Sequence, residues 1–329
     1  MTYDVTKYKY SLIMSKKNIY LLIIKKRIIT ILRVNIGIVG HISIDNIIDN
    51  DYNFNSIGGP PCYSGLVSQL LGAKINIITK IGKDFPNSYF KWLNQNKLNY
   101  SNNDVVKNKK TTQFQINISK QNKQIKLINK CENIKLNQFQ FKNLNGILIS
   151  PIVNEIPINL NTKINSMSEI TMLDPQGYIR KFNKNGLYNQ KNIKIYDLPK
   201  TNIIKISEQE SYSISKINNF KLILKLLAKK YQIVLGTLEN NNAYLLNENK
   251  IFFIKIPNYD KLKDTIGLGD IFNGVFLTMF LKGENILWSI SMAIAIASSR
   301  KEHGINKINK IGKCKELTEN IYNNIKRIE

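Results

Sequence analysis

The sequence predicts an α/β protein: a doubly wound, mostly parallel sheet flanked by helices, with a small separate β-sheet as a lid. Two observations predict this. From residue 34 onward, short apolar runs of strand length alternate with longer helix-like stretches, the order that builds parallel sheets. Two early stretches break that rhythm, and the second alternates with a period closer to two, as strands with one face covered do.

The apolar runs lie at 34–39, 75–79, 146–150, 170–173, 203–206 and 232–236. Helix-like stretches at 63–71, 88–96 and 216–230 fall between several of them, followed by a long helical run at 286–299 and a last amphipathic segment near 316–328. In such sheets ligands bind beyond the carboxyl ends of the strands, so the chemistry is expected there. The stretches that break the rhythm are 42–57, polar with short apolar islands, and 112–129, where Phe114, Ile116 and Ile118 share a register. No internal repeat or clean linker divides the chain, so residues 34–329 read as one domain, with lid strands drawn from about 42–57 and 112–129.

Residues 1–33 read as an N-terminal extension, either disordered, surface-lying or added by an upstream start codon. Its apolar runs, 19–24 and 28–32, are split by Lys25, Lys26 and Arg27. Neither run is long enough to span a bilayer, and the charge placement is not that of a signal peptide.

The chain has 329 residues, of which 43% are hydrophobic, enough for a sizeable core. Its 48 basic and 23 acidic residues give a formal charge of +25. The basic residues are scattered through an Ile-, Asn- and Lys-rich background, which reads as compositional bias and not as a stripe for a specific nucleic acid. A positive field still favours an anionic substrate. Cys62, Cys131 and Cys314 are few and far apart, which predicts free thiols in a reducing, cytoplasmic setting. His41 and His303 have no metal-ligand spacing.

The strongest local signal is D-T-I-G-L-G-D at 264–270, followed by the helix-like I-F-N-G-V-F-L-T-M-F. Glycines at a helix start leave backbone N–H groups pointing into open space, where they and the helix dipole form an anion site. Phosphoryl transfer needs such a site together with a group that takes the attacking hydroxyl's proton. Asp270, in the first turn, is placed to be that group, although a plain N-cap has the same sequence. No G-x-x-x-x-G-K-[ST] occurs, which excludes a P-loop kinase.

D-T-I-G-L-G-D-I-F-N-G resembles the second signature of the PfkB, or ribokinase-like, carbohydrate kinases. Companion motifs follow in the family's order over roughly residues 34–320. Gly58-Gly59-Pro60-Pro61 is similar to the early diglycine motif, and I-G-K-D at 81–84 to the G-x-D. Leu173-Asp174-Pro175 is similar to the strand-end D-P, the K-I-S-E-Q-E at 205–210 to the stretch ending in N-x-x-E, and Thr237 to the start of a T-x-G loop.

The resemblance implies a ribokinase-like fold and ATP-dependent phosphoryl transfer to a hydroxyl of a sugar, nucleoside or cyclitol. It makes Asp270 the general base and the backbone of Gly267, Leu268 and Gly269 the anion hole. Asp45, Gly58 and Gly59 would contact the acceptor. Thr237 and Thr265 would line the nucleotide phosphates, and Ala297, on the 293–297 face, and Gly304 would border the adenine. Glu210 would hold hydrated Mg²⁺, and Asp264 a monovalent cation such as K⁺. The implied partners are a small-molecule acceptor and a nucleotide, with no membrane span, and a homodimer would pair through the lid.

The departures from the family pattern are specific. Leu268 stands where alanine is usual, Val275 where glycine is usual, and Ser207 in place of the Asn of N-x-x-E. Glu239 and Asn242 replace both glycines of the T-x-G-x-x-G loop. Tyr63 stands where many sugar kinases of the family carry Asn, and is expected to wall the acceptor pocket and favour a ring-shaped acceptor. Beside the kinase reading stand a catalytically weak, ligand-binding regulator of the same fold and, on charge alone, a nucleic-acid binder.

Overall fold

The computed structural model of the protein describes residues 33–49, 52–119, 123–135, 137, 139–238, 242–255, 266–299, 305 and 314–329. Residues 1–32 of the extension, and the expectations placed on Glu239, Asp264, Thr265, His303 and Gly304, lie outside the described residues.

Asn35–Val39 is the third strand from one edge of a ten-stranded sheet, with Lys74–Ile78 on one side and Gly146–Ile149 on the other, both parallel to it. Ile170–Leu173, Ile203–Ser207 and Ile233–Thr237 continue in parallel beyond Gly146–Ile149. Leu98–Asn99 closes the other edge. Because the chain moves outward in both directions from Asn35–Val39, the strand order reverses there, and a crevice opens at the carboxyl ends of the strands. The parallel strands are nearly continuous in buried Ile, Leu and Val because both faces are covered. One face buries Ile36, Ile38, Ile75 and Ile77 with Phe272 and Phe276. The other buries Val39, Ile78, Ile149 and Ile204 with Leu224 and Leu227.

The lid is a four-stranded sheet in the order Tyr52–Gly58, Ser43–Asp49, Thr112–Ile118, Lys123–Asn129. Its central pair is parallel and its outer pairs antiparallel. Ile47, Phe114 and Ile116 are buried on its inner face. On the outer face amides bridge strands, as where Asn46 Nδ2 donates to Asn53 and Asn55.

The fold class expected from the sequence is the one observed, and the structure adds three elements. Ala243–Asn247 and Lys250–Ile254 form an antiparallel hairpin beyond Ile233–Thr237. Its turn places Glu248 at φ 50° and Asn249 at φ 60°, a left-handed pair that suits tight hairpins. A second hairpin pairs Arg180–Phe182 with Tyr188–Gln190. The amphipathic segment near 316–328 is a helix, Lys315–Asn323, followed by Lys326–Arg327 as an edge strand on Phe252 and Phe253. All three cysteines are free and buried. His41 is buried too, its ring held between the Glu132 carbonyl and the Thr112 hydroxyl at 2.8 Å each, which makes it a structural histidine. Among the described residues, no helix is long and apolar enough to cross a membrane.

Candidate active site

The diglycine and the lid build one wall together. Asp45, on lid strand Ser43–Asp49, lies so close to Gly58 that a side chain there would overlap its carboxylate. Gly59 then caps the helix Pro60–Leu70, with Pro60 at its first position where a missing N–H costs nothing. Burial pushes the Asp45 carboxyl up to about 6, although the Ser43 hydroxyl and the charges of Lys123 and Arg180 pull it down. A buried carboxylate beside bare backbone is a cradle for hydroxyl groups.

The opposite wall is the start of helix Leu268–Leu281. Gly267, its N-cap, takes φ 73° and has no side-chain cap, so the first N–H groups of the helix face outward without intrahelical partners. Asp270 sits in that first turn and is 9% exposed. Its carboxyl is pushed up to about 7, first by burial and then by Asp174, against the pull of Lys205 and Arg180. A base whose pKa lies near neutrality is matched to accepting a hydroxyl proton.

Between the two walls lies a charged network assembled from separate strand ends. Asp174 accepts from Asn273 Nδ2 at 2.7 Å and faces Lys205 Nζ at 3.5 Å. Lys205 also lies 3.7 Å from Glu210 Oε2. Burial works against the charge on Lys205, but Asp174, Glu210 and Asp270 outweigh it and hold the ammonium protonated. Gln176 donates from its side chain to Asp270 Oδ1 at 3.4 Å and from its backbone to Asp174 Oδ1 at 3.2 Å. Glu210 closes a capping box with Ser207, so the Ser found in place of the family's Asn starts the helix that presents Glu210. Glu208 and Glu210 both lie on the cavity wall, and so few carboxylates suit a cation that keeps its waters. Among the described residues no cluster of three His, Cys, Asp or Glu side chains exists to bind a metal directly.

A cavity of about 700 Å³ runs along this network, lined by Thr237, Asn242, Leu268, Gly269, Glu210 and Ala297 among others. The structure thus brings Leu268, Gly269, Glu210, Thr237 and Ala297 to one cavity, with Asp270 in the same helix turn as Gly269; Asp45, Gly58 and Gly59 are buried and do not line it. Leu268 finds its room on the cavity wall.

Tyr63 is placed differently from the expectation. It is 1% exposed and does not line the cavity. Its ring lies under Gly267, where a Cβ would come within 2.7 Å of it. It is therefore a support for the anion-hole turn and not a wall of the acceptor pocket. Replacing Tyr63 by Phe keeps that support, and activity is expected to stay within a few-fold. Tyr63→Asn empties the space and is expected to cost about 3 kcal/mol of stability and about tenfold or more in kcat, with acceptor KM moving less. Steady-state kinetics and denaturant unfolding check both.

Sequence reading gave Lys205 no role of its own and passed over Gln176 and Arg180. Their signal is positional: Lys205 is a cation inside a buried parallel strand, and Gln176 and Arg180 begin and follow the short helix after another. A second expectation follows from the carboxyl of Asp270. The acid limb of the kcat/KM profile should lie near pH 7, not in the ordinary carboxylate range, with activity rising as Asp270 ionises. A pH–rate profile with saturating donor tests it, and a limb in the ordinary carboxylate range would remove Asp270 as its source.

A parallel sheet with its switch point beside an uncapped helix start and buried carboxylates is the arrangement expected of a small-molecule kinase. The chain belongs to the pfkB family of carbohydrate kinases, whose family model matches residues 48–304, and it transfers a phosphoryl group to a sugar-like acceptor. A search of curated proteins finds no significant sequence match. Solved structures share its fold. A pyrophosphate-dependent kinase of the ribokinase family, solved as a sulfate complex, superposes with TM-score 0.72 at 19% identity, covering 82% of this chain and 96% of its own. Ribokinase from Arabidopsis thaliana, complexed with ribose and ATP, gives 0.69 at 15% identity, covering 88% and 99%. The nucleoside kinase of Methanocaldococcus jannaschii gives 0.66 at 16%, covering 87% and 98%.

Proposed function

We propose that the protein transfers the γ-phosphoryl group of ATP to one hydroxyl of a small polyol-like acceptor: a sugar, nucleoside or cyclitol. The observation that carries this reading is Asp270, buried in the first turn of a helix whose N–H groups are uncapped, with its carboxyl held near neutrality. Asp270 takes the hydroxyl proton. The 267–269 backbone receives the negative charge gathered on the transferring group. Asp45, Gly58 and Gly59 hold the acceptor's other hydroxyls. Thr237 and Ala297 line the nucleotide's course. Glu210 would hold Mg²⁺ through water, and the ion would neutralise donor phosphate charge.

The lid belongs to this chemistry because water competes with the acceptor hydroxyl for the phosphoryl group, and closure removes it. The neighbouring folds include a ribokinase complexed with ribose and ATP and a kinase complexed with a pyrophosphate analog and myo-inositol. Pyrophosphate is therefore run beside ATP as donor. The test is a product-release screen of purified protein against pentoses, hexoses, nucleosides and inositols. Acceptor-dependent release with one class is expected, and no release with any acceptor on either donor overturns the reading.

A further inference from the structure

We propose that Arg180, standing on the cavity wall between the acceptor cradle and the base, is a catalytic residue that grips the phosphoryl group during transfer. The inference rests on the function proposed above and adds a residue to it. Arg180 follows the short helix Gln176–Ile179, whose first side chain donates to Asp270. Its own backbone pairs with Gln190 across the hairpin. That hairpin is tied to lid strand Lys123–Asn129, where Leu127 N donates to the Gly186 carbonyl at 2.8 Å. The backbone of Arg180 is thus fixed from the base side and from the lid side.

Its side chain is not so committed. It is partly buried and lines the cavity with Lys205, Leu268 and Gly269. Among the described residues it makes no side-chain hydrogen bond or ion pair, which leaves a planar fork of five donors facing the cavity. Lys205, the neighbouring cation, is held between Asp174 and Glu210. Arg180 favours the ionised forms of both Asp270 and Asp45, so its charge lies within reach of both. The acceptor hydroxyl must sit between these same two carboxylates, one holding the acceptor and the other taking the proton. The phosphorus arrives at that oxygen, so the equatorial oxygens gather their charge beside the guanidinium.

The step balances without a further reagent. The acceptor oxygen forms a bond to phosphorus, and the bond from phosphorus to the bridging oxygen of the donor breaks. The hydroxyl proton goes to the Asp270 carboxylate, and the electron pair of the broken bond stays on the departing phosphate. Arg180 exchanges no proton. It matches the planar arrangement of equatorial oxygens, a geometry that a lysine ammonium does not reproduce.

The test compares the whole parent protein with Arg180→Gln and Arg180→Lys. Both are expected to lose about a hundredfold or more in kcat, with acceptor KM within a few-fold. Free guanidinium should restore part of the Arg180→Gln rate. The groups facing Asp270 are Asp174, Lys205, Arg180, Asp45 and Cys62. Removing the arginine takes away one of the two cations among them, so the acid limb should move to higher pH. A solely structural role would not move that limb. Unfolding midpoints within about 2 °C of the parent show that the variants fold.

A second arm uses neither acceptor nor turnover. Inorganic tripolyphosphate is titrated into each protein by calorimetry, and Arg180→Gln should bind it at least about tenfold more weakly. A parent that never turns over sinks the proposed function, while this arm still decides the clamp. Unchanged tripolyphosphate affinity, a fully active Arg180→Lys, or a rise in acceptor KM at unchanged kcat would each overturn the proposal. The last result would make Arg180 a contact for the acceptor alone.

Discussion

Asp270→Asn is expected to lower kcat by at least about a hundredfold while leaving donor binding nearly intact. The substitution keeps the size of the side chain and its fit in the first turn of Leu268–Leu281, and it leaves the anion-hole N–H groups in place. What it removes is the ability to accept a proton. The same change should make the protein more stable above neutral pH. Folding raises the Asp270 carboxyl from 3.8 to about 7, so the contribution of its neutral form is complete below pH 3.8 and is lost as pH rises through 7. That shift sets a ceiling of about 4 kcal/mol on the penalty. A gain of at least about 1 kcal/mol in Asp270→Asn on the alkaline side of neutrality is expected, shrinking toward acid. Steady-state kinetics with parallel urea unfolding at several pH values measure both effects. Activity within a few-fold of the parent would remove Asp270 from its role, and identical stability at alkaline pH would remove the buried charge.

Lys205→Met should be the most destabilising single change in the site. Lys205 is 6% exposed, and its ammonium faces Asp174, 1% exposed, and Glu210. Methionine matches the length of the stem but leaves two carboxylates without their cation. Breaking a buried pair from one side costs about 3–5 kcal/mol, because the remaining charge keeps its desolvation penalty. Among the described residues, Asp174 retains only the Asn273 amide and the Gln176 backbone as donors. The loss should also move the acid limb of kcat/KM upward, since Lys205 draws the Asp270 carboxyl down. Chemical unfolding gives the first effect and a pH–rate profile the second. A variant within about 1 kcal/mol of the parent would show that solvent or other cations already compensate these carboxylates.

The elements that were legible in the sequence are those fixed by burial. Every central parallel strand is an Ile-, Leu- or Val-rich run because helices cover both faces of the sheet. The lid strand Thr112–Ile118 shows alternation because only one of its faces packs. The hairpin 243–254 was missed because its turn is Glu248-Asn249 and lacks the glycine that usually marks a left-handed pair. The C-terminal strand was missed because two residues beyond a helix carry no period of their own. At the site, Asp270, the glycines, Glu210 and Thr237 were readable because each lies in a local motif. Lys205, Gln176 and Arg180 were not, since their meaning comes from strand ends that meet only in space, and a Lys-rich background hides any one cation. The reading of Tyr63 went astray for a related reason: one turn into the helix Pro60–Leu70 fixes its distance from the diglycine, but not the direction of its ring.

The helix that follows the diglycine and the helix that carries the base touch through their backbones. A Cβ on Gly274 would come within 2.6 Å of the Ser64 carbonyl oxygen. Ser64 Oγ donates to the Asp270 carbonyl at 2.7 Å, and Ser68 Oγ to the Gly274 carbonyl at 3.0 Å. With so close an approach and two serine hydroxyls bonding one helix to the other, the two helices behave as a single stiff block. Under the proposed function, the acceptor's seat and the group that activates it are therefore aligned before any substrate arrives. Movement of the lid adjusts access and dryness around a reaction axis that is already set, so changes in the lid should show first in wasted donor hydrolysis and only later in the rate of productive transfer.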